Sequence, residues 1–183
     1  MQDILRFHVP CDQKYTKLVE DFIGISASYL NPAADKTFVQ KLTSVMNEVF
    51  LNIVEHTKTA EQGEIVRFQF EIGLKYFSIS IYDYGPGFAA DGHYPPYPKN
   101  VVDKSYLLRE VLDGKVFYKV IDPFSITFHF EEKQDINLDD IGLLGRADDS
   151  GLGMSIVAKI MDTVTYSYVG NGKFDWKLVK NLD

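Results

Sequence analysis

The stretch "SVMNEVFLNIVEHT" (residues 44–57) sets Glu48, Asn52 and His56 at strict four-residue spacing within an otherwise apolar segment. Val39, Leu42, Met46, Val49 and Ile53 recur at the spacing of one helical stripe. On that helix Glu48 and Asn52 fall about 100° around the axis from Val49 and Ile53, at the edge of the buried face. A carboxylate, an amide and an imidazole thus run along the border between core and solvent.

The flanking sequence supplies the layers this helix packs between. "ILRFHV" alternates, with Leu5, Phe7 and Val9 on one side and Arg6 and His8 on the other, which predicts a strand. Asp12 can cap the segment after it, where Leu18, Phe22, Ile25 and Tyr29 predict a first helix. "LNPAAD" breaks it, with Asn31-Pro32 or Asp35 opening the next. Val66, Phe68, Phe70 and Ile72 alternate in one strand, and Phe77, Ile79 and Ile81 in another. Asp83 continues that odd-numbered, core-facing row as "GPG" ends the strand.

Farther on, "KSYLLREVLDG" predicts a short helix over residues 105–112, with Tyr106, Leu107, Val111 and Leu112 near one face. Two alternating strands come next around Asp122-Pro123, then an acidic, glycine-punctuated run over 131–150 that reads as mobile. "GLGMSIVAKIMDTV" predicts a helix opened by glycines, and "VTYSYVGNGKFDWKLV" a closing hairpin turning at Asn171-Gly172.

Bulk composition narrows the function classes. The 183 residues are expected to form one domain, with 45% apolar and 14% aromatic residues. The net charge of −7 comes without a Lys/Arg stripe, which argues against nucleic acid as a partner. The single cysteine, Cys11, excludes an intrachain disulfide framework and fits a cytoplasmic setting. No signal-type run opens the sequence, and no window of about 18 apolar residues spans a membrane.

Three constellations carry chemistry. On the quoted helix, Asn52 offers a neutral carbonyl oxygen suited to Mg²⁺ beside phosphates, and Glu48, about 40° away, could take a proton from a nucleophile. In "DYGPGF" (83–88), an acid in a core-facing row needs a donor partner such as an exocyclic amine, and Gly85 and Gly87 would let a flat ring approach the backbone. In "DDSGLGMSIV" (148–157), a glycine-rich helix entry presents free N–H groups and the positive dipole end to an anion. Taken singly, each also fits an ordinary helix edge, a strand-ending turn or a plain helix start.

In this order the three resemble the N, G1 and G2 boxes of the ATP-binding fold shared by gyrase, mismatch-repair ATPases, heat-shock chaperones and histidine kinases (the Bergerat fold). Within that superfamily the chain is most similar to bacterial anti-sigma-factor serine/threonine kinases, through "LRFHVPCDQKYTKLVEDFI", "NEVFLNIVEHT" and "IMDTVTYSY". The resemblance covers residues 1–88 and roughly 137–182. It implies an α/β two-layer sandwich, with a mixed, mainly antiparallel sheet and helices on one face. It also implies ATP and Mg²⁺ as ligands: Asp83 on the adenine amino group, Asn52 on the metal, Gly85 and Gly87 in the turn, and Ser150, Gly151, Leu152, Gly153 and Met154 around the phosphates. Glu48 would be the catalytic base, and His56 would pack behind the site. The implied substrate is an anti-anti-sigma-type protein; a sigma factor or similar regulator would be a second partner, and a homodimer the assembly.

The chain departs from the subfamily in two places. About sixty residues separate Phe88 from Gly151, where a short segment is usual, so an insertion is expected over about 92–135. A Thr typical near "FDWKL" is missing. Two other functions fit the same boxes: a nucleotide-gated binding module without transfer activity, and the catalytic half of a split histidine kinase. Glu48 speaks for the serine/threonine kinase, because histidine-kinase catalytic domains do not depend on a matching Glu.

Overall fold

The computed structural model describes residues 3–30, 36–57, 59–63, 65–72, 75–111, 113–133 and 152–181. Eight strands form one sheet: β1 (Asp3–Pro10), β2 (Ile65–Ile72), β3 (Tyr76–Tyr84), β4 (Ser105–Val111), β5 (Gly114–Asp122), β6 (Ser125–Glu132), β7 (Thr163–Gly170) and β8 (Lys173–Asn181). Their order across the sheet is β1-β2-β3-β8-β7-β6-β5-β4. Every pairing between these strands is antiparallel, which corrects the mixed sheet expected from the sequence. Among the described residues three α-helices accompany it: α1 (Thr16–Leu30), α2 (Lys36–His56) and α3 (Leu152–Ile160). The fold is α+β.

Alternation in the strands decides which face the helices cover. Val66, Phe68 and Phe70 of β2 and Phe77, Ile79 and Ile81 of β3 are all buried. The α2 stripe Leu42, Val45, Met46, Val49, Phe50 and Ile53 closes over them, with Phe50 and Phe68 ring centroids 6.3 Å apart. Phe22 of α1 stacks on Phe7 of β1 at 4.2 Å and tilts against Phe70 at 5.7 Å. The inward face of α1 carries Val19, Ile23 and Ala27 beside Phe22. Leu18 and Ile25, expected there, lie seven residues apart on an exposed flank. The mixed composition of α1 permits either rotation, and the fit to Phe7 and Phe70 selects one. Asn31, Pro32 and Asp35 lie outside the described residues.

The segment between β3 and α3 extends the sheet. β4, β5 and β6 form an antiparallel meander that joins β7 through Ser125–Ser167, Ile126–Tyr166 and Thr127–Thr165. Residues 105–111 form β4 where a short helix was expected. A run such as Tyr-Leu-Leu-x-x-Val suits both periods, and pairing with β5 decides for the strand. The expected strands flanking Asp122-Pro123 are present as β5 and β6. Gly114 opens β5 where a Cβ would meet the Glu131 carbonyl oxygen at 2.2 Å and the Phe130 ring at 2.3 Å, so the hairpin needs glycine there. Ile126 and Phe128 are buried in the core, and Lys159 of α3 sits over the Phe130 ring at 4.3 Å. The inner face of the added strands is thus covered from within this chain, though Phe124 remains exposed and stacks on Tyr168. Beyond residue 133 the acidic run lies outside the described residues.

The β7–β8 hairpin turns at Asn171-Gly172, both at positive φ, as expected. Among the described residues, no helix is long and apolar enough to cross a membrane.

Candidate nucleotide site

Asp83 is 1% exposed, near the end of β3 opposite Phe174 of β8. The inward register of β3 carries its carboxylate onto the helix-covered side, where an unpaired charge is costly. Two donors from neighbouring strands meet it. Tyr166 Oη of β7 lies 3.1 Å from Oδ1, and Trp176 Nε1 of β8 donates to Oδ2 at 3.2 Å. Burial nevertheless raises the Asp83 pKa from 3.8 to about 7, outweighing the two hydrogen bonds that favour the ionised form, and Asp175 adds a further upward push. Oδ2 also lies 3.4 Å from Tyr166 Oη, while Oδ1 still has capacity to accept a second donor.

Asp83 forms part of the wall of a cavity of about 330 Å³. Asn52, His56 and Thr57 from α2 line one side, Gly85 to Phe88 follow the end of β3, and Met154 comes from α3. Tyr166 and Trp176 complete the sheet side, and Leu108 and Arg109 reach in from β4. Helix, sheet, post-β3 loop and added strand thus converge on one space.

Two local devices hold the loop after β3. Thr57 Oγ1 donates to the Ile53 carbonyl at 2.7 Å and lies 2.8 Å from Thr59 Oγ1, which accepts the Tyr84 N–H at 2.9 Å. The end of α2 is thereby fastened to the end of β3. On the other side, the Tyr97 hydroxyl donates to the Phe88 carbonyl at 2.7 Å and the Tyr118 hydroxyl to that of Ala89. Phe88 packs edge-on against Phe128, Tyr166 and Trp176. The added strands therefore brace the loop that borders the cavity.

Gly87 has φ +77° and a Cβ there would meet the Phe174 ring at 2.7 Å, so its need for glycine comes from the protein's own packing. Gly85 lines the cavity with room for a Cβ, 3.7 Å from Thr57. Asn52 and Met154 line the cavity; Glu48, one turn before Asn52, is half-buried and is not among its lining residues. Burial, then Glu55, raises the Glu48 pKa. His56 was expected to pack behind the site; it lines the cavity and its side chain is 63% exposed. Leu152 and Gly153 open α3. Ser150 and Gly151 lie outside the described residues.

The signals for Tyr166 and Trp176 were present as inward-register residues of the closing hairpin, but their meeting with Asp83 depends on strand order. Nothing in the local pattern marked Leu108 or Arg109.

The donor set fits an adenine nucleotide at its base end: a buried acceptor facing a cavity can take an exocyclic amine. Among the described residues no cluster of three His, Cys, Asp or Glu side chains could cage a metal. Mg²⁺ keeps waters and phosphate oxygens as ligands and needs few from the protein. Asn52 is the residue that would hold it; when bound, the ion would offset phosphate charge.

The family model of the histidine kinase-like ATPase domain matches residues 25–174, from within α1 to the start of β8. No curated protein matches the chain.

Proposed function

The chain belongs to the histidine kinase-like ATPase domain family, and on that premise we propose that it is an ATP-dependent serine/threonine protein kinase of the anti-sigma-factor type. The observation that carries the nucleotide part is Asp83, a buried carboxylate with remaining acceptor capacity on the wall of a cavity between α2 and the sheet. An adenine amino group satisfies it; a guanine carbonyl in the same place would set acceptor against acceptor.

Asn52, which lines the same cavity from α2, would hold Mg²⁺ in this reading. Glu48 supports transfer to a hydroxyl, because a half-buried carboxylate with raised pKa is a stronger base than an exposed one. Phosphoryl transfer is mostly positioning and charge compensation, so few protein groups suffice. In this reading the acceptor is a serine or threonine of an anti-anti-sigma-type protein, and a sigma factor or similar regulator is the partner held in between; the kinase acts as a homodimer.

The test is transfer of label from γ-labelled ATP to a protein captured from native lysate with Mg-ATP. Glu48→Gln should retain ATP binding and lose about 10²–10⁴ in transfer rate. Asn52→Ala should weaken Mg-ATP binding itself. Wild-type turnover in both variants contradicts the assignment. The position of Glu48 outside the cavity lining favours a second reading, a nucleotide-gated binding module. Partner capture that depends on ATP, with no label transferred, selects it.

A further inference from the structure

We propose that Leu108, supplied by the strands added between β3 and α3, packs against the nucleoside part of the bound nucleotide. The inference rests on the nucleotide reading of the cavity and adds a contact residue outside the three sequence boxes.

The observation is a bulge in β4. Tyr106 pairs with Tyr118 and Leu107 with Phe117, but the next pair is Arg109 with Val116. Val116 and Tyr118 are buried on the helix-covered side, and Leu107 is exposed on the outer face. Opposed residues in an antiparallel pair share a face. Regular alternation would therefore set Leu108 inward against Val116, and Arg109 outward after Leu107. The bulge gives Val116 to Arg109 and leaves Leu108 as the extra residue of the ladder. Two consecutive side chains, Leu108 and Arg109, then line the cavity where a regular strand would offer one. Re-aiming a side chain beside a binding site is a recurrent use of such bulges.

Side-chain chemistry selects the part of the ligand. Leu108 offers phosphate oxygens no donor, and pressing them against it would strip them of water without return. A purine face or the C–H side of a ribose gains from the same contact. Size brings the two together. The cavity, at about 330 Å³, stands at the lower end of the range of about 300–1,000 Å³ found for small-molecule sites. A nucleoside seated on Asp83 therefore fills most of it and meets most of its wall. The Leu108 strand is also well anchored. Glu110 pairs with Lys133 at 3.1 Å, Asp113 in the β4–β5 turn pairs with Lys159 of α3, and the Tyr106 and Tyr118 rings stack at 5.3 Å. The Tyr118 hydroxyl in turn donates to the Ala89 carbonyl, in the loop after β3. A wall fixed before the ligand arrives costs little to order on binding.

The experiment has two arms. In the first, calorimetry compares ATP, ADP and adenosine binding to wild type, Leu108→Ala, Leu108→Met and, as an outer-face control, Leu107→Ala. Leu108→Ala should lose about fivefold to fiftyfold in affinity, by the same factor for all three ligands, because the lost contact is with the part they share. Leu108→Met, which keeps apolar volume, should stay within about threefold of wild type, and Leu107→Ala should match it. In the second arm, wild type with labelled leucine methyls is saturated with adenosine, and nuclear Overhauser effects should link the Leu108 methyls to base or ribose protons. This arm decides even where Leu108→Ala does not fold. If wild type binds adenosine without those effects, or Leu108→Ala binds all three ligands equally well, the contact is overturned while the nucleotide site stands. A loss confined to ATP and ADP overturns it too. A wild-type protein that binds none of the three overturns both.

Discussion

Replacing Asp83 with Asn should strengthen the free protein and weaken its complex with ATP. The Asp83 pKa stands at about 7 in the fold against 3.8 in the reference state. Between those values the folded chain holds a proton that the unfolded chain has released, so stability falls as pH rises through the interval. The difference of roughly three units corresponds to about 4 kcal/mol of cost, fully expressed above pH 7 and absent below about pH 4. Asn cannot ionise. Its carbonyl oxygen can accept the Trp176 indole N–H, and its NH₂ can donate to the Tyr166 hydroxyl, so both existing partners remain served. Urea denaturation should show the variant gaining stability at pH 8, by about 2–4 kcal/mol after allowance for weaker neutral hydrogen bonds, and little or nothing at pH 4. ATP affinity at pH 8 should fall about tenfold to a hundredfold, because the adenine amine loses a charged acceptor. A variant that is less stable than wild type at pH 8, or a gain of equal size at both pH values, would refute the account of Asp83 as a buried charge held for a ligand.

Three further substitutions test the surroundings. Tyr166→Phe removes a donor that favours ionised Asp83, so the pH below which ATP affinity declines should move up by about one unit in titrations from pH 6 to 9. Asp175, opposite Tyr82 on the other face of the sheet, is raised to about 6, chiefly by burial. Asp175→Asn should add up to about 2 kcal/mol above pH 6 in the same denaturation assay, while leaving ATP affinity as it is. Thr59→Val takes from the half-buried Tyr84 N–H the acceptor that buried Thr59 supplies; thermal unfolding should register a loss of about 1–3 kcal/mol, and ATP binding should weaken as the loop after β3 loosens.

Local periodicity was enough to read α2 and the position of Asp83, because both depend on patterns confined to one element. The α2 stripe is buried as the spacing required, and Asp83 follows Ile81 on the inward side of β3. The partners of Asp83 were not legible. Tyr166 and Trp176 lie 83 and 93 residues away, and only the strand order β3-β8-β7 brings them to it. Residues 105–111 resisted reading because their apolar spacing suits either period until β5 is alongside. Arg109 was hidden by the same segment: strict alternation puts it on the outer face, and one bulged residue reverses that. The rotation of α1 failed for a related reason, since Leu18 and Ile25 share a flank that the aromatic contacts of Phe22 turn outward.

The central claim is that Asp83 reads an adenine base inside this cavity. Its most direct test is calorimetric titration of the wild-type chain with Mg-ATP and with Mg-GTP at pH 8, where Asp83 is ionised. The account predicts that ATP binds at least about tenfold more tightly, because GTP presents a carbonyl oxygen where the carboxylate needs a donor. Equal affinity for the two nucleotides, or heat from neither, would contradict it.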